Sequence, residues 1–171
     1  MAGSPLDQPY RGGFIGPEHH FALTVYFEDT DTAGVVYYAN YLKYMERARS
    51  DMLRAAGIDQ RAAIDDGIGV YAVAEANIRY LRPAKLGDDL RIVSTLAHVR
   101  AASVHIHQTV MRGPEIIAEA RIAAADDPEP LDPRSQGSDG VDLGAKAELR
   151  AELGERGGGD QRFGGARQRQ R

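Results

Sequence analysis

The sequence predicts an α+β domain in which one long helix packs on a mostly antiparallel β-sheet. Three observations support this fold class: a strand-like run near residue 21, an amphipathic helical run after it, and about four further strand-like runs. Short turns join these later runs, and short connections favour antiparallel pairing. We therefore expect about five strands and one central helix.

The first strand is predicted at residues 21–27, which are mostly apolar, β-branched and aromatic. The preceding stretch, residues 1–20, contains several glycines and prolines. Such a composition is typical of loops and turns. The sequence therefore predicts a flexible leader at 1–20, with the folded domain beginning at 21.

The central helix is indicated by apolar and small residues at helical spacing, namely Tyr41, Met45, Ala48, Met52 and Ala56. Asn40 stands directly before them and is expected to cap the helix through its side-chain oxygen. Gly57 follows the last of them and is a natural helix terminator. A second, short helix is possible at residues 60–65.

The remaining strands are predicted at 68–81, 90–99, 103–111 and 115–125, where apolar and polar residues alternate. Pro83 and Gly87 mark a connection between the first two of these strands. The folded domain is thus expected to span residues 21–125. From residue 126 the sequence becomes rich in glycine and poor in large apolar side chains, which predicts a disordered tail at 126–171.

Composition excludes several function classes. The 171-residue chain has a net charge of -4 and no cysteine. Without cysteine there is no disulfide, no thiolate nucleophile and no cysteine-rich zinc site. The negative charge gives no general attraction to nucleic acid. No apolar run reaches the roughly 18–20 residues that span a bilayer, and no secretory signal is visible, so we expect a cytoplasmic protein without stable membrane insertion.

The most informative stretch is residues 28–41, which reads E-D-T-D-T-A-G-V-V-Y-Y-A-N-Y. Asp31 lies between a predicted strand and the start of the helix, where backbone N–H groups are unpaired and the helix dipole is positive. Gly34 lets a ligand approach the backbone closely. A carbonyl bound there would be stabilised as negative charge develops on it, and a carboxylate could attack it or activate water. The alternative is that Asp29 and Asp31 only form Asx turns.

Two metal-site hypotheses are weak. Asp29, Asp31 and Gly34 match part of a calcium loop, but Ala33 and Asn40 occupy positions where oxygen ligands are needed. His105 and His107 share a strand face without an obvious third ligand. We therefore expect no metal and no redox cofactor. Glu46 could point toward the 28–41 loop or simply be solvated on the helix.

Two segments resemble a known family. Residues 25–49 (V-Y-F-E-D-T-D-T-A-G-V-V-Y-Y-A-N-Y-L-K-Y-M-E-R-A-R) and residues 80–90 (Y-L-R-P-A-K-L-G-D-D-L) are similar to hotdog-fold acyl-CoA thioesterases. The Tol–Pal-associated and the 4-hydroxybenzoyl-CoA thioesterases share these motifs, and the resemblance covers about residues 22–125. It implies a sheet wrapped around one helix, and a homodimer or homotetramer with active sites between subunits.

The resemblance also implies roles for individual residues. Asp31 corresponds to the catalytic carboxylate, as nucleophile or general base, and the Tyr38 backbone N–H to the group that polarises the thioester carbonyl. Gly34 and Val35 would line the thioester channel, and Asn40 would hold the loop against the helix. Many Tol–Pal-type relatives have histidine at the position of Tyr38, so no catalytic imidazole is expected here. The Gly-rich tail is a second departure from the family.

The implied function is hydrolysis of acyl-CoA to the free acid and CoA, with CoA as a part of the substrate. One alternative is a thioesterase that acts on an acyl carrier protein. Another is a non-catalytic interaction module that binds cell-envelope or lipid-synthesis proteins. A hotdog dehydratase is a weaker hypothesis, because it needs a histidine near the helix start and this loop has none.

Overall fold

The computed structural model describes residues 9–66, 71–99 and 103–126. Within these ranges the chain forms six strands, two helices and a 3-10 turn at Phe27–Asp29. In order, the elements are β1 (Gly13–Ile15), β2 (Glu18–Thr24), α1 (Asn40–Ala55), α2 (Gln60–Asp65), β3 (Tyr71–Tyr80), β4 (Asp89–Val99), β5 (Ser103–Arg112) and β6 (Glu115–Asp126). The strands build one antiparallel sheet in the order β1-β2-β4-β5-β6-β3. The predicted α+β class is confirmed, with six strands instead of about five.

The additional strand corrects the predicted leader. Residues 13–20, expected to be flexible, belong to a β1–β2 hairpin that turns at Gly16 and Pro17. Gly16 has φ +58°, a left-handed conformation that glycine adopts readily. The Gly and Pro residues therefore mark a tight turn at this point. Residues 1–8 and 127–171 lie outside the described residues, so the rest of the leader and the disordered tail stay predictions.

Helix α1 follows the predicted spacing. The five residues that predicted its apolar stripe are all buried, and Tyr44 is buried with them. Leu42, the apolar residue that follows Tyr41, is 39% exposed. The prediction that Asn40 caps the helix is wrong: Ala39 occupies the cap position with a helical backbone (φ −70°, ψ −21°), and Asn40 is the first helical residue. Helix α2 is confirmed at its predicted position.

The four later strands lie close to their predicted positions, but β-bulges shift which residues face the core. In β6 a register shift opposite Val110 and Met111 places Ile117 in the core, while the preceding Ile116 is 41% exposed. A second shift interrupts β3 between Val73 and Glu75. A bulge inserts an unpaired residue and so reverses the inward alternation beyond it.

The core lies between α1 and one face of the sheet. Helix α1 contributes its buried stripe, and strands β4, β5 and β6 contribute the facing side chains, namely Leu90, Ile92, Val104, Ile106, Val110, Ile117, Ala118, Ala120 and Ile122. Strand β3 is an edge of this sheet, and residues 72–77 are exposed. In the described ranges, no helix is both long and apolar enough to cross a membrane.

Candidate active site

A small hairpin precedes α1 and carries the candidate residues. The Asp31 N–H donates to the Val35 carbonyl at 2.9 Å, and the Gly34 N–H donates to the Asp31 carbonyl at 3.0 Å. Thr30 pairs with Val36 on the next rung. Gly34 has φ +73°, which a residue with a side chain rarely adopts, so glycine is needed to close this turn. The hairpin brings Asp31, Gly34 and Val35 together.

The Asp31 carboxylate is held by one oxygen only. Its Oδ1 accepts a hydrogen bond from the Ala33 N–H at 2.8 Å and a longer one from the Val35 N–H at 3.4 Å. Among the described residues, no donor contacts Oδ2. Asp31 therefore does form an Asx turn, but the turn occupies only one of its two carboxylate oxygens. The turn orients Asp31, and an exposed oxygen stays available to a substrate.

Asp29 shapes the loop, as predicted. Its buried carboxylate accepts a hydrogen bond from the Tyr26 N–H at 2.9 Å. Its backbone carbonyl accepts two more, from the Tyr37 N–H at 3.0 Å and from the Asn40 side-chain amide at 2.9 Å. Asn40 thus fastens the first turn of α1 to the loop by donating to the Asp29 carbonyl, and not by capping the helix.

The start of α1 presents an unpaired backbone donor. In the part of the chain that the structure describes, no group accepts a hydrogen bond from the Tyr38 N–H. Tyr38 lies two residues before α1, and its side chain is largely exposed to solvent. Its ring contacts the ring of Tyr37, with the ring centroids 4.7 Å apart. An unpaired N–H beside the positive end of a helix can stabilise an oxyanion.

The connection at residues 81–88 supports the hairpin from its other side. The Val36 N–H donates to the Ala84 carbonyl at 2.8 Å, and the Ala84 N–H donates to the Tyr41 hydroxyl at 3.0 Å. Burial raises the pKa of Tyr41 and outweighs the opposing effect of the Ala84 N–H. Asp88 accepts a 2.6 Å hydrogen bond from Arg112, which fixes the end of the connection to β5. Two segments far apart in sequence thus pack around one site.

Tyr80 is a residue that sequence reasoning missed. It ends β3, and its hydroxyl donates to the Tyr38 backbone carbonyl at 3.1 Å. Its ring packs edge-on against those of Tyr38 and Tyr41, with centroid distances of 6.3 and 5.5 Å. The contact joins residues 42 positions apart, so no local pattern could have indicated it.

The other candidates do not join this site. Glu46 is exposed and forms an ion pair with Arg49 on the same helix, which matches the solvated alternative. His105 and His107 lie on β5, and His105 faces the ring of His98 at a centroid distance of 6.3 Å. Throughout the described ranges, no three His, Cys, Asp or Glu side chains are grouped as metal ligands would be.

Comparison with known proteins gives a consistent result. Residues 25–125 match the family described as the thioesterase-like superfamily. The acyl-CoA thioesterase YbgC of Haemophilus influenzae is 34% identical over 105 residues, which cover 61% of this chain and 77% of that protein. A 1,4-dihydroxy-2-naphthoyl-CoA hydrolase of Thermosynechococcus vestitus is 41% identical over 76 residues, 44% of this chain and 52% of that protein. The crystal structure of a probable thioesterase from Bartonella henselae superposes with a TM-score of 0.61 at 30% identity, covering 64% of this chain and 91% of that one.

Proposed function

Because the chain belongs to the thioesterase-like superfamily, we propose that it hydrolyses acyl-CoA thioesters to the free acid and CoA, with Asp31 at the reaction centre. The observation that carries this assignment to Asp31 is its carboxylate, oriented through Oδ1 and open at Oδ2, on the hairpin that leads into α1. The names of the YbgC and naphthoyl-CoA relatives both describe thioester hydrolysis. Membership of the family supports the reaction class, and the geometry around Asp31 supports the proposed residue roles.

The proposed chemistry requires one attacking oxygen and one oxyanion donor. As a nucleophile, Asp31 attacks the thioester carbonyl, the C–S bond breaks, and the CoA thiolate takes a proton; water then hydrolyses the acyl anhydride. As a general base, Asp31 removes a proton from a water molecule that attacks the same carbonyl; the C–S bond then breaks, and the proton passes from Asp31 to the CoA thiolate. In both routes negative charge develops on the carbonyl oxygen, and the Tyr38 N–H is the donor that stabilises it.

Gly34, Val35 and Asn40 are proposed to bind and hold the thioester region. A Cβ atom added to Gly34 would have no heavy atom within 4 Å, so the space beside the hairpin is open to a substrate. Val35 lies next to it on the hairpin. Asn40 acts indirectly, since its contact with the Asp29 carbonyl fixes the distance between hairpin and helix.

We further propose that the protein works as a homodimer or homotetramer in the cytoplasm. Support for assembly comes from β3, a ten-residue edge strand whose backbone would otherwise present an unprotected edge. The absence of cysteine fits a reducing compartment. An acyl carrier protein is the alternative carrier of the acyl group, because both CoA and the carrier protein attach it as a thioester.

The test measures hydrolysis of short aliphatic, long aliphatic and aromatic acyl-CoA substrates, with acyl carrier protein thioesters in parallel. We expect Asp31→Asn to lower kcat by on the order of a hundredfold or more. Asp65→Asn is the matched control, because Asp65 is exposed on α2 and distant in sequence. Equal turnover by Asp31→Asn and wild type would overturn the assignment. Hydrolysis of carrier-protein substrates alone would favour that alternative, and no hydrolysis at all would favour an interaction module.

A single turnover in ¹⁸O-water tests the nucleophilic role of Asp31. If Asp31 is the nucleophile and water attacks the Asp31 carbonyl of the anhydride, the acid leaves with an oxygen from the protein, and label enters the Asp31 carboxylate. If Asp31 is a general base, the label enters the acid product directly and the Asp31 carboxylate stays unlabelled. Mass spectrometry of the product and of the peptide that contains Asp31 distinguishes these outcomes.

A further inference from the structure

Tyr80 connects the sheet to the residue whose N–H is the proposed oxyanion donor. Its backbone is fixed, because Tyr80 pairs with Ala118 in β6, and the next two N–H groups, those of Leu81 and Arg82, donate to the Ile117 carbonyl at 2.8 and 3.0 Å. A side chain that extends from a fixed backbone can hold whatever it contacts. That contact is the hydrogen bond to the Tyr38 carbonyl at 3.1 Å.

Tyr38 needs such support because it precedes the regular helix. It lies in the turn before Asn40, where the backbone is not yet fixed by the repeating hydrogen bonds of α1. Asn40 secures the chain on the helix side through the Asp29 carbonyl. Tyr80 secures Tyr38 itself, from a different element of the fold.

We propose that Tyr80 is a positioning residue that sets the orientation of the Tyr38 backbone and thereby aims the Tyr38 N–H at the substrate carbonyl. This inference rests on the proposed function, which makes that N–H the oxyanion donor. Tyr80 acts through Tyr38 and takes no part in bond making. Its hydroxyl is the essential group, whereas its ring packs on Tyr38 and Tyr41.

The contributions of the Tyr80 hydroxyl and of its ring can be tested with separate variants. Tyr80→Phe removes only the hydroxyl and keeps the ring contacts, so a residue that merely packs would tolerate it. If Tyr80 positions Tyr38, Tyr80→Phe lowers kcat by about tenfold while KM changes less than twofold, because small misplacement of a catalytic group costs rate. Tyr80→Leu, which removes the ring as well, should lower kcat at least as much and also lower Tm.

The control is Tyr10→Phe, which removes the hydroxyl of an exposed tyrosine that packs on Phe21 of β2. A readout independent of turnover is the ¹⁵N–¹H signal of the Tyr38 amide. We expect Tyr80→Phe to shift this signal, and Tyr10→Phe to leave it unchanged. The amide signal tests the role of Tyr80 separately from the role of Asp31. It reports on the Tyr38 backbone even if Asp31→Asn is fully active.

Two results would overturn the inference. The first is that Asp31→Asn is inactive while Tyr80→Phe has a kcat within twofold of wild type. The proposed function would then be supported, and the role of Tyr80 would be excluded. The second is a Tyr38 amide signal in Tyr80→Phe that is identical to that of wild type.

Discussion

At the scale of single residues, the site depends on one backbone carbonyl. The Asp29 carbonyl accepts from the Tyr37 N–H and from the Asn40 amide, and Asn40 is only 7% exposed. Because both donors bind the same buried oxygen, they fix the position of the loop relative to the start of α1. A buried donor cannot be replaced by an acceptor without leaving two oxygens in repulsive contact.

Asn40→Asp tests this arrangement, since the substitution preserves shape and removes the donor. We expect the free energy of unfolding to fall by about 1–3 kcal/mol, because the buried carbonyl loses its partner and faces a like charge. Gln60→Glu adds the same charge at an exposed position of α2 and should change stability by less than about 0.5 kcal/mol. Urea denaturation measures both. Similar losses in the two variants would mean that the added charge, and not the hydrogen bond, is responsible.

Residues whose role depends on near neighbours could be predicted from the sequence, and the others could not. Asp31 and Gly34 are predicted as site residues because a carboxylate and a flexible glycine between a strand and a helix constitute a local signal. Tyr80 contacts Tyr38 across 42 positions, and that proximity exists only after the sheet has formed. Burial of Arg49 and Asp51 was also unexpected, because both lie outside the apolar stripe of α1.

At the scale of elements, the β1–β2 hairpin is fastened to α1 by a buried polar cluster. Asp51 accepts hydrogen bonds from the His19 ring at 3.1 Å, from the Gly12 N–H at 2.8 Å and from Arg54 at 2.7 Å. Gly12 has no substitute here, because a Cβ atom would lie 2.2 Å from the His20 carbonyl oxygen. The Gly-rich composition that predicted a flexible leader is thus partly a requirement of close packing.

His19 makes the attachment of this hairpin pH-dependent. Burial lowers the pKa of His19 from 6.5, and the nearby Asp51 carboxylate offsets this only in part. A group whose pKa is lower in the folded state stabilises the fold above its unfolded pKa, and that stability is lost as the pH falls below 6.5. Burial raises the pKa of Asp51, but Arg54 and Gly12 outweigh it and bring it below 3.8, so Asp51 titrates outside this window.

We therefore expect wild-type stability to decline between pH 7 and pH 5, with a smaller decline in His19→Gln, whose side chain does not titrate. Urea unfolding at several pH values measures the two slopes. His107→Gln, at an exposed position of β5, controls for the loss of any histidine and should keep the wild-type slope. The same slope in wild type and His19→Gln would show that His19 is not the titrating group.

At the scale of the whole molecule, a second group of buried hydrogen bonds connects the helical layer to the sheet. Gln108 of β5 is fully buried and donates to the Met45 carbonyl at 3.0 Å and to the Ser94 hydroxyl at 2.9 Å. Its side-chain oxygen accepts from Arg49 at 2.8 Å. Apolar contacts alone allow a helix to slide or rotate on a sheet, whereas directional hydrogen bonds fix one position and orientation of the helix. The hydrophobic pattern predicted both layers, but it could not predict how they are locked together.

Gln108→Leu keeps nearly the same volume and removes these hydrogen bonds. We expect the free energy of unfolding to fall by about 2–3 kcal/mol, because Arg49 loses a buried partner and the Met45 carbonyl loses a donor. His107→Leu, the neighbouring exposed position on the same strand, should change stability by less than about 0.5 kcal/mol. Since the proposed active site directly precedes α1, Gln108→Leu should lower kcat more than it raises KM, whereas His107→Leu should alter neither. If Gln108→Leu were as stable and as active as its control, the setting of α1 on the sheet would have to come from apolar packing alone.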